Sequence, residues 1–524
     1  MHPQLRVLNP QFRARNLVAY NFAAFACISL VVFLLASQPF YLSDVIGISP
    51  DQIGKVTGSL GVVDELMVIA TSPLIGTLND RLQGMAWKAG SMPSGPRILQ
   101  LAGFGALALA LLGYGQLAAG FVWRLYVLRS VFAVGVAAVM GIAVVMLHEA
   151  SNSDFTWLQI KFWTRADDPR GLLLADDPAQ ASDADEDQLF MEDGEWAATQ
   201  KQKQSHGKLS ALLGLCAGLG AILAVAVFLP LPARLSLRHT DWSTAKCLEA
   251  SYTILGAAAV VCGALVFVGG YDSVKQRRIV DGSRAADEPN ASYVQLMREA
   301  VIVSLNSRQL QLAYMGGFIA RCTAIATSVF TPLIVYKFYL ATGTCGSPEP
   351  RADAPPDNNC YNAFIFLAVL TGVASVASLV SAPAWSYVVD APKMGCLFAL
   401  LVASVLNCTG CFALCVLGLG SAVYDPRNAA CFILLSVIGV AQMGLIISSM
   451  SLVSKAGQLF EDAEHRVIGS ITGLYNLSGG MGILLISKLG GTWSDRWVFG
   501  PFFILGLFNL LLVAASGMAM RLIR

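Results

Sequence analysis

Pro73-Leu-Ile-Gly-Thr-Leu-Asn-Asp80 ends one long apolar run of this chain, and Pro383-Ala-Trp-Ser-Tyr-Val-Val-Asp390 ends another with the same pattern, Pro-x2-small-x3-Asp. A second pattern, Gly-x2-Ser/Thr-x-Leu-x2-Leu-x2-Gly-x-Gly, occupies residues 207–220 and again residues 469–482. The interval between the two copies is shorter for the second pattern than for the first. The first half therefore contains extra sequence between its two patterns, and the polar stretch Glu149–His206 can account for it. Matching patterns at a long interval predict two related halves.

The runs around these patterns are long and apolar enough to cross a bilayer. Hydrophobic residues make up 55% of the 524 residues and charged residues only 13%, whereas soluble proteins carry about 25% charged residues. A membrane helix needs roughly 20 mostly apolar residues. The sequence predicts twelve such spans, at 17–42, 56–78, 98–119, 125–147, 209–229, 252–271, 310–335, 361–388, 394–419, 429–453, 467–487 and 498–520.

An even number of spans places both termini on one side of the membrane. Most of the Lys and Arg residues then fall on that same side, so the positive-inside rule predicts cytoplasmic termini. The sequence does not distinguish the plasma membrane from a vacuolar-type membrane as the location of the protein. The predicted organisation is a cytoplasmic tail (1–16), a six-helix bundle (17–147 and 207–271), an acidic loop (148–206), a cytoplasmic linker with an amphipathic helix (272–309) and a second six-helix bundle (310–520). The composition of the acidic loop predicts partial disorder, as a solvated spacer or a regulatory segment.

The loop after the second span reads Gly76-Thr-Leu-Asn-Asp80-Arg81-Leu-Gln-Gly84 and ends in Gly95-Pro-Arg97. The fourth span carries Arg129, followed six residues later by Gly135. These motifs resemble the loop signature and the fourth-helix motif of the major facilitator superfamily, with the loop lengthened and its glycine displaced to Gly84. The second copy of the loop signature is reduced to Asp390-Ala-Pro-Lys393, and the fifth span lacks the family's Gly-Pro pair.

The resemblance implies an all-α membrane protein with twelve transmembrane helices in two six-helix bundles. It also implies alternating access to a solute site between the bundles, usually driven by an ion gradient, and it leaves the solute undefined. Carried over to this sequence, the loop signature predicts a gating network that stabilises one access state. The residues of this gating loop motif are Gly76, Asp80, Arg81, Arg97 and Asp390.

Four ionisable residues lie within the predicted spans, where charges are costly and mark functional positions by default. Asp64 and Glu65 lie at a depth similar to that of Arg129, but adjacent helical positions point about 100° apart. We therefore expect one of the two carboxylates to pair with Arg129, either as a proton or cation-coupling site or as a static ion pair. Arg321 lies in the middle of the seventh span and either recognises an anionic group on the solute or pairs across the bundles, for instance with Glu65.

Small residues let membrane helices approach closely. The repeated pattern and the fourth-span motif therefore predict helix packing at a set of glycines, namely Gly135, Gly218, Gly220, Gly480 and Gly482. Of the 12 cysteines, Cys345 and Cys360 flank a loop on the non-cytoplasmic side, where they either form a disulfide or remain free thiols.

The sequence favours a transporter of a small solute over two other classes. A membrane enzyme needs grouped catalytic side chains, and the five His residues are scattered. A receptor or scaffold with a transporter-like fold has less reason to bury Asp64, Arg129 and Arg321. The expected partners are a small-molecule solute, a proton or cation and the lipid bilayer. We expect a monomer. We expect no nucleic-acid partner, because the net charge is only +1, and no metal or cofactor, because neither a metal-ligand cluster nor a phosphate-binding loop is present in the sequence.

Overall fold

The computed structural model describes residues 14–89, 93–117, 122–151, 212–239, 241–270, 301–342, 361–390, 395–419, 424–461 and 468–523. All regular elements within these ranges are helices. Twelve of them have membrane-spanning length. They are α1 (Ala14–Asp44), α2 (Ile53–Ala89), α3 (Gly95–Tyr114), α4 (Val122–Ser151), α5 (Leu212–Arg238), α6 (Thr244–Gly269), α7 (Arg308–Ala341), α8 (Tyr361–Asp390), α9 (Gly395–Leu419), α10 (Ala429–Glu461), α11 (Ile468–Arg496) and α12 (Gly500–Ile523).

The predicted all-α class and the twelve-helix order are confirmed in the described residues. By length and composition, 11 of these helices qualify as membrane spans. The helix that does not qualify is α11, which has 29 residues but a glycine- and serine-rich sequence of lower hydropathy. Those small residues form its contact with α2, as described below, so its low hydropathy follows from its position between the halves.

Several helices extend beyond the apolar runs that predicted them. α2 continues to Ala89 and α10 to Glu461, well past the predicted ends at 78 and 453. Backbone hydrogen bonding continues where a helix leaves the lipid, so apolarity marks only the membrane-embedded part. The predicted start of the sixth span at 252 is wrong, because α6 begins at Thr244, where the Ser243 side chain caps the helix. Of the predicted amphipathic linker helix, only residues 301–306 are described, and they are helical.

Two helices contain a π-helical turn next to a proline. The turns are Ala224–Phe228 in α5 and Ala326–Phe330 in α7, and they precede Pro230 and Pro332. Proline has no N–H to donate to the preceding turn, so the hydrogen-bond ladder shifts its register at these points. Both turns lie where the first half meets the second, since the turn of α5 contacts α8 and that of α7 contacts α1.

The two halves, α1–α6 and α7–α12, use the same internal packing. In the first half the Ser29 hydroxyl of α1 donates to the carbonyl of Gly220 on α5, at 2.8 Å. In the second half the Cys322 thiol of α7 donates to the carbonyl of Gly482 on α11, at 3.3 Å. The two glycines occupy the same position of the repeated sequence pattern. α5 therefore packs on α1 as α11 packs on α7.

The neighbouring glycines of the repeat face the opposite half. A Cβ built on Gly218 of α5 would lie 2.9 Å from Leu379 of α8, and one built on Gly480 of α11 would lie 3.3 Å from Ile69 of α2. Gly135 performs a different task within the first half, because its Cβ would lie 2.9 Å from the carbonyl oxygen of Gly103 on α3. The repeat thus places equivalent glycines at the two contacts between the halves.

Candidate functional site

The site is described with respect to the two ends of the helix bundle. We call the end at which α1 begins and α12 ends the terminal end. The opposite end, which carries the connection between Asp44 and Ile53, is the distal end. The four ionisable residues predicted from the sequence lie between these ends, on α2, α4 and α7.

Arg129 of α4 binds Asp64 of α2. Its Nε lies 2.8 Å from both carboxylate oxygens, and its Nη2 lies 2.6 Å from Oδ2. The Arg129 side chain is 2% exposed and that of Asp64 is 26% exposed. A bidentate pair of this kind is among the strongest polar contacts in proteins. The structure therefore brings together one of the two predicted carboxylates and the predicted arginine.

A cluster of three buried tyrosines lies on the side of Arg129 that Tyr114 approaches. Tyr114 of α3 interacts electrostatically with Arg129, although no hydrogen bond of good geometry joins its hydroxyl to Nη1. The Tyr114 ring lies 5.1 Å from that of Tyr41 and 5.2 Å from that of Tyr252. Tyr41 donates to the Tyr114 carbonyl at 2.7 Å, and the Tyr252 hydroxyl is hydrogen-bonded to Ser37 at 2.8 Å. Sequence reasoning missed this cluster, because its members are isolated tyrosines on three helices without a shared pattern.

Glu65 points away from this pair, towards α11. A Cβ built on Gly480 would lie 2.5 Å from the Oε1 atom of Glu65. The carboxylate thus occupies the space that a side chain at this position would fill. Glu65 is therefore a group of the first half that reaches the surface of the second half.

Arg321 of α7 approaches the same part of α11 from the other side. A Cβ built on Gly479 would lie 2.9 Å from the Cγ atom of Arg321. Arg321 is exposed, and within the described ranges it has neither an ion pair nor a hydrogen bond. Its positive charge is nevertheless the one that most stabilises the ionised form of Glu65. The Gly479-Gly480 pair thus lies between an acid of the first half and a base of the second.

The two halves close tightly at the distal end, along α2 and α11. A Cβ on Gly58 would clash with the carbonyl oxygen of Ser487 and lie 2.9 Å from the Cα atom of Gly491. The Asp495 carboxylate at the end of α11 accepts the N–H groups of Gly54 and Lys55, at 2.7 and 2.9 Å. A carboxylate suits this position, because the first N–H groups of a helix have no partner within it.

A second distal contact joins α1 to α7 and α8. The Phe40 ring lies 5.2 Å from that of Tyr336 and 4.3 Å from that of Phe364. The Tyr336 hydroxyl also donates to Ser43. Aromatic contacts of this kind exclude water, so the site has no open route to the distal end along these helices.

At the terminal end the described residues show no close contact at the small residues of α2 and α11. A Cβ on Gly76 of α2 or on Gly473 of α11 would have no described neighbour within 4 Å. Leu74 is 64% exposed, and Tyr387 near the end of α8 is 78% exposed. These loosely packed and exposed positions lie on the terminal side of Glu65 and Arg321.

The loop signature lies at this open end. Gly76 is not closely packed here, and Arg97 donates from Nε to the carbonyl of Phe267 on α6 at 2.8 Å. The side chains of Asp80, Arg81 and Asp390 lie outside the described part of the structure, as do Cys345 and Cys360. The structure therefore describes only Gly76 and Arg97 of this motif.

Two other cavities lie away from the charged residues. One of about 590 Å³ is at the distal surface of the second half and is lined by aromatic residues and Arg427. Hydrogen bonds from Arg427 lower the pKa of the exposed Asp425 carboxyl. The other, of about 330 Å³, is an apolar groove between α7, α11 and α12. Neither includes a residue of the candidate site.

Solved structures with the same arrangement of helices are transporters. A substituted form of the nucleoside transporter NupG aligns at a TM-score of 0.59 and 12% identity, covering 96% of this chain and 99% of its own. The D-xylose-proton symporter aligns at 0.60 and 11%, covering 96% of each chain. A proton dependent oligopeptide transporter aligns at 0.54 and 8%, covering 98% of this chain and 100% of its own.

The chain has the major facilitator fold. Its sequence matches no protein-family model and no curated protein. In the major facilitator fold two six-helix halves enclose the space in which Glu65 and Arg321 meet, which is consistent with a solute site near the bilayer midplane.

Proposed function

We propose that this protein is a secondary transporter that moves a small solute by alternating access, coupled to a proton or cation. The observation that carries the proposal is the position of Glu65 and Arg321. They are opposite charges from different halves that approach neighbouring glycines of α11, where α2 and α11 are in close contact distally and show no described close contact at Gly76 and Gly473. Charged groups at bilayer depth are costly and are retained where they serve a function.

The coupling role rests on the four charged residues together. Asp64 and Arg129 neutralise each other within the first half. Glu65 and Arg321 interact across the halves, so the free energy of that interaction changes when the halves move or when Glu65 takes up a proton. The D-xylose and oligopeptide transporters of the same fold are both named for a proton, which supports a proton as the coupling ion here.

We assign the gating role to the loop signature, which would act in the second state, with the terminal end closed and the distal end open. Alternating access requires the terminal end to close when the distal end opens. Gly76, Asp80, Arg81, Arg97 and Asp390 all belong to the terminal parts of α2, α3 and α8. Closure there would bring Gly76 into a close contact like the one that Gly58 makes now. We place this end, with both termini, in the cytoplasm.

The test measures access to the site from both ends and needs no known solute. Thr57, 2% exposed at the distal contact, and Leu74, exposed at the terminal opening, are changed to Cys one at a time. A membrane-impermeant maleimide is added to oriented proteoliposomes, and labelling is quantified by peptide mass spectrometry against the parent protein, whose own cysteines give the background. Alternating access predicts that both new thiols react, each from its own side.

Gly76→Trp then prevents closure at the terminal end. In that background we expect labelling at Thr57→Cys to fall at least tenfold and labelling at Leu74→Cys to persist. The matched control is Gly105→Trp, since Gly105 of α3 also has no described neighbour within 4 Å of a built Cβ. A receptor or scaffold with a single conformation predicts that Thr57→Cys never reacts in the folded protein, and that result would refute transport.

A further inference from the structure

The candidate site contains one cation that is available to a solute. Four charged groups lie there, two acids and two bases, so their formal charges cancel when all are ionised. The charge of Arg129 is compensated by Asp64, which binds its Nε and Nη2. Arg321 is exposed and has no hydrogen bond or ion pair in the described part of the chain. The charges that can change partner or protonation are therefore those of Arg321 and of Glu65, the carboxylate near it.

We propose that Arg321 binds the carboxylate group of a monoanionic organic solute, and that Glu65 is protonated whenever this solute is bound. The inference rests on the proposed transport function and names the solute class and the stoichiometry. A guanidinium matches a carboxylate with two parallel hydrogen bonds. A dianion such as a phosphate monoester would require a second free cation.

Charge balance requires the proton. A monoanion on Arg321 beside an ionised Glu65 leaves one uncompensated negative charge at bilayer depth, which is strongly unfavourable. Uptake of one proton by Glu65 restores neutrality and also frees Arg321 from its attraction to that carboxylate. One proton and one monoanion then cross together, and the complex that changes its access carries no added charge.

The groups that act on Glu65 are few, so its protonation can be assigned. The negative charge of Asp64, on the same helix, destabilises the ionised form of Glu65, and the positive charge of Arg321 stabilises it. Other titratable or charged groups lie on each helix packed against α2. They are Arg129 on α4, Tyr114 on α3, Tyr41 on α1 and Tyr475 on α11, the last beside Arg321.

The first experiment measures binding with matched pairs of compounds. Purified protein is titrated with acetate, lactate, benzoate and N-acetylglycine, and with the corresponding neutral amides, and thermal stabilisation is recorded between pH 5.5 and pH 8.5. We expect at least one carboxylate to stabilise the protein where its amide does not. Because one proton is taken up with the anion, its apparent affinity falls about tenfold per pH unit once free Glu65 is ionised.

Two variants separate the roles. Arg321→Gln abolishes the preference for the carboxylate over its amide, and Arg321→Lys retains it only weakly because the fork geometry is lost. Glu65→Gln keeps the preference and removes the pH dependence, so affinity at pH 8.5 rises to the value at pH 5.5. Arg427→Gln and Asp241→Asn, on exposed loops away from the site, serve as controls and leave both properties unchanged.

The second experiment measures transport of the carboxylate that binds. Proteoliposomes with an alkaline interior accumulate it, whereas a potassium diffusion potential at equal pH does not, because a neutral pair gains nothing from the membrane potential. Glu65→Gln exchanges the carboxylate across the membrane without accumulating it.

Several results would overturn the proposal. These are stabilisation by amides equal to that by carboxylates, no stabilisation by any of the eight compounds, potential-driven uptake, or unchanged pH dependence in Glu65→Gln. If the maleimide test still shows alternating access, such a result refutes only the solute class and stoichiometry. If that test also fails, the proposed function fails with them.

Discussion

Two adjacent carboxylates on α2 have different partners. Asp64 binds Arg129 within the first half, and Glu65 faces Arg321 of the second. The sequence predicted that one of them pairs with Arg129 but left the choice open, because periodicity fixes only the angle between neighbouring positions. The rotation of α2 about its axis is decided by its contacts with α4 and α11, which involve residues far apart in sequence.

The Asp64–Arg129 pair gives an asymmetric stability prediction. Asp64→Asn leaves a permanently charged, fully buried guanidinium without its partner, and we expect a loss of about 3–5 kcal/mol. Arg129→Met costs less, since the partly exposed Asp64 can take up a proton. The double variant recovers most of the loss. Thermal unfolding of the purified proteins measures all three, and equal losses in the two single variants would contradict this account.

The tyrosines near Arg129 are site residues that the sequence did not predict. Tyr41, Tyr114 and Tyr252 were not singled out, because an isolated tyrosine in an apolar run is typical of any membrane helix. Their contact with one another depends on how α1, α3 and α6 pack. A charged residue in lipid is visible in the sequence, whereas the polar groups around it are not.

At the scale of elements, the contact between α2 and α11 determines which end is closed. Small residues on both helices allow backbone contact at the distal end, and no such contact is described at Gly76 and Gly473. The sequence predicted a gating network around Gly76, and in the structure Gly76 has no close neighbour among the described residues. The proposed closure of this end in a second conformation is not readable from sequence alone.

Gly58→Val tests the distal contact. The new side chain meets the backbone of Ser487 and Gly491, which cannot move aside as a flexible side chain can. We expect the population to shift to the state with an open distal end, raising maleimide labelling at Thr57→Cys more than tenfold. The control is Gly105→Val on α3, whose Cβ has open space. Unchanged labelling would show that this contact does not hold the end closed.

Asp495→Asn tests the cap that α11 supplies to α2. The carboxylate accepts two N–H groups at the start of α2, and an amide oxygen accepts them more weakly and without charge. Loss of a helix cap costs about 1 kcal/mol, which corresponds to roughly a fivefold shift in population. Labelling at Thr57→Cys should rise by that factor, and Lys488→Gln, an exposed change on the same helix, should leave it unaltered.

At the scale of the whole molecule, the repeat was visible in the sequence because it has a structural purpose. A Cβ on Gly220 or on Gly482 would collide with the backbone carbonyl of Phe25 on α1 or of Phe318 on α7, so each half needs a glycine there. Length, apolarity and this repeat were sufficient to predict twelve helices in two halves. The helix ends, the π-helical turns and the closed distal end were not predictable, because they depend on contacts between distant segments.

The orientation of the molecule is a prediction that the fold leaves open. Most of the Lys and Arg residues lie on the side of the termini, so that side should face the cytoplasm. The terminal end, which we propose is the open one, is then accessible from the cytoplasm. In intact cells an impermeant maleimide should fail to label Leu74→Cys and should label it in inside-out vesicles, while epitope tags on both tails should resist protease until the cells are permeabilised. If the tags are digested in intact cells, the terminal end faces the outside and the predicted orientation is wrong.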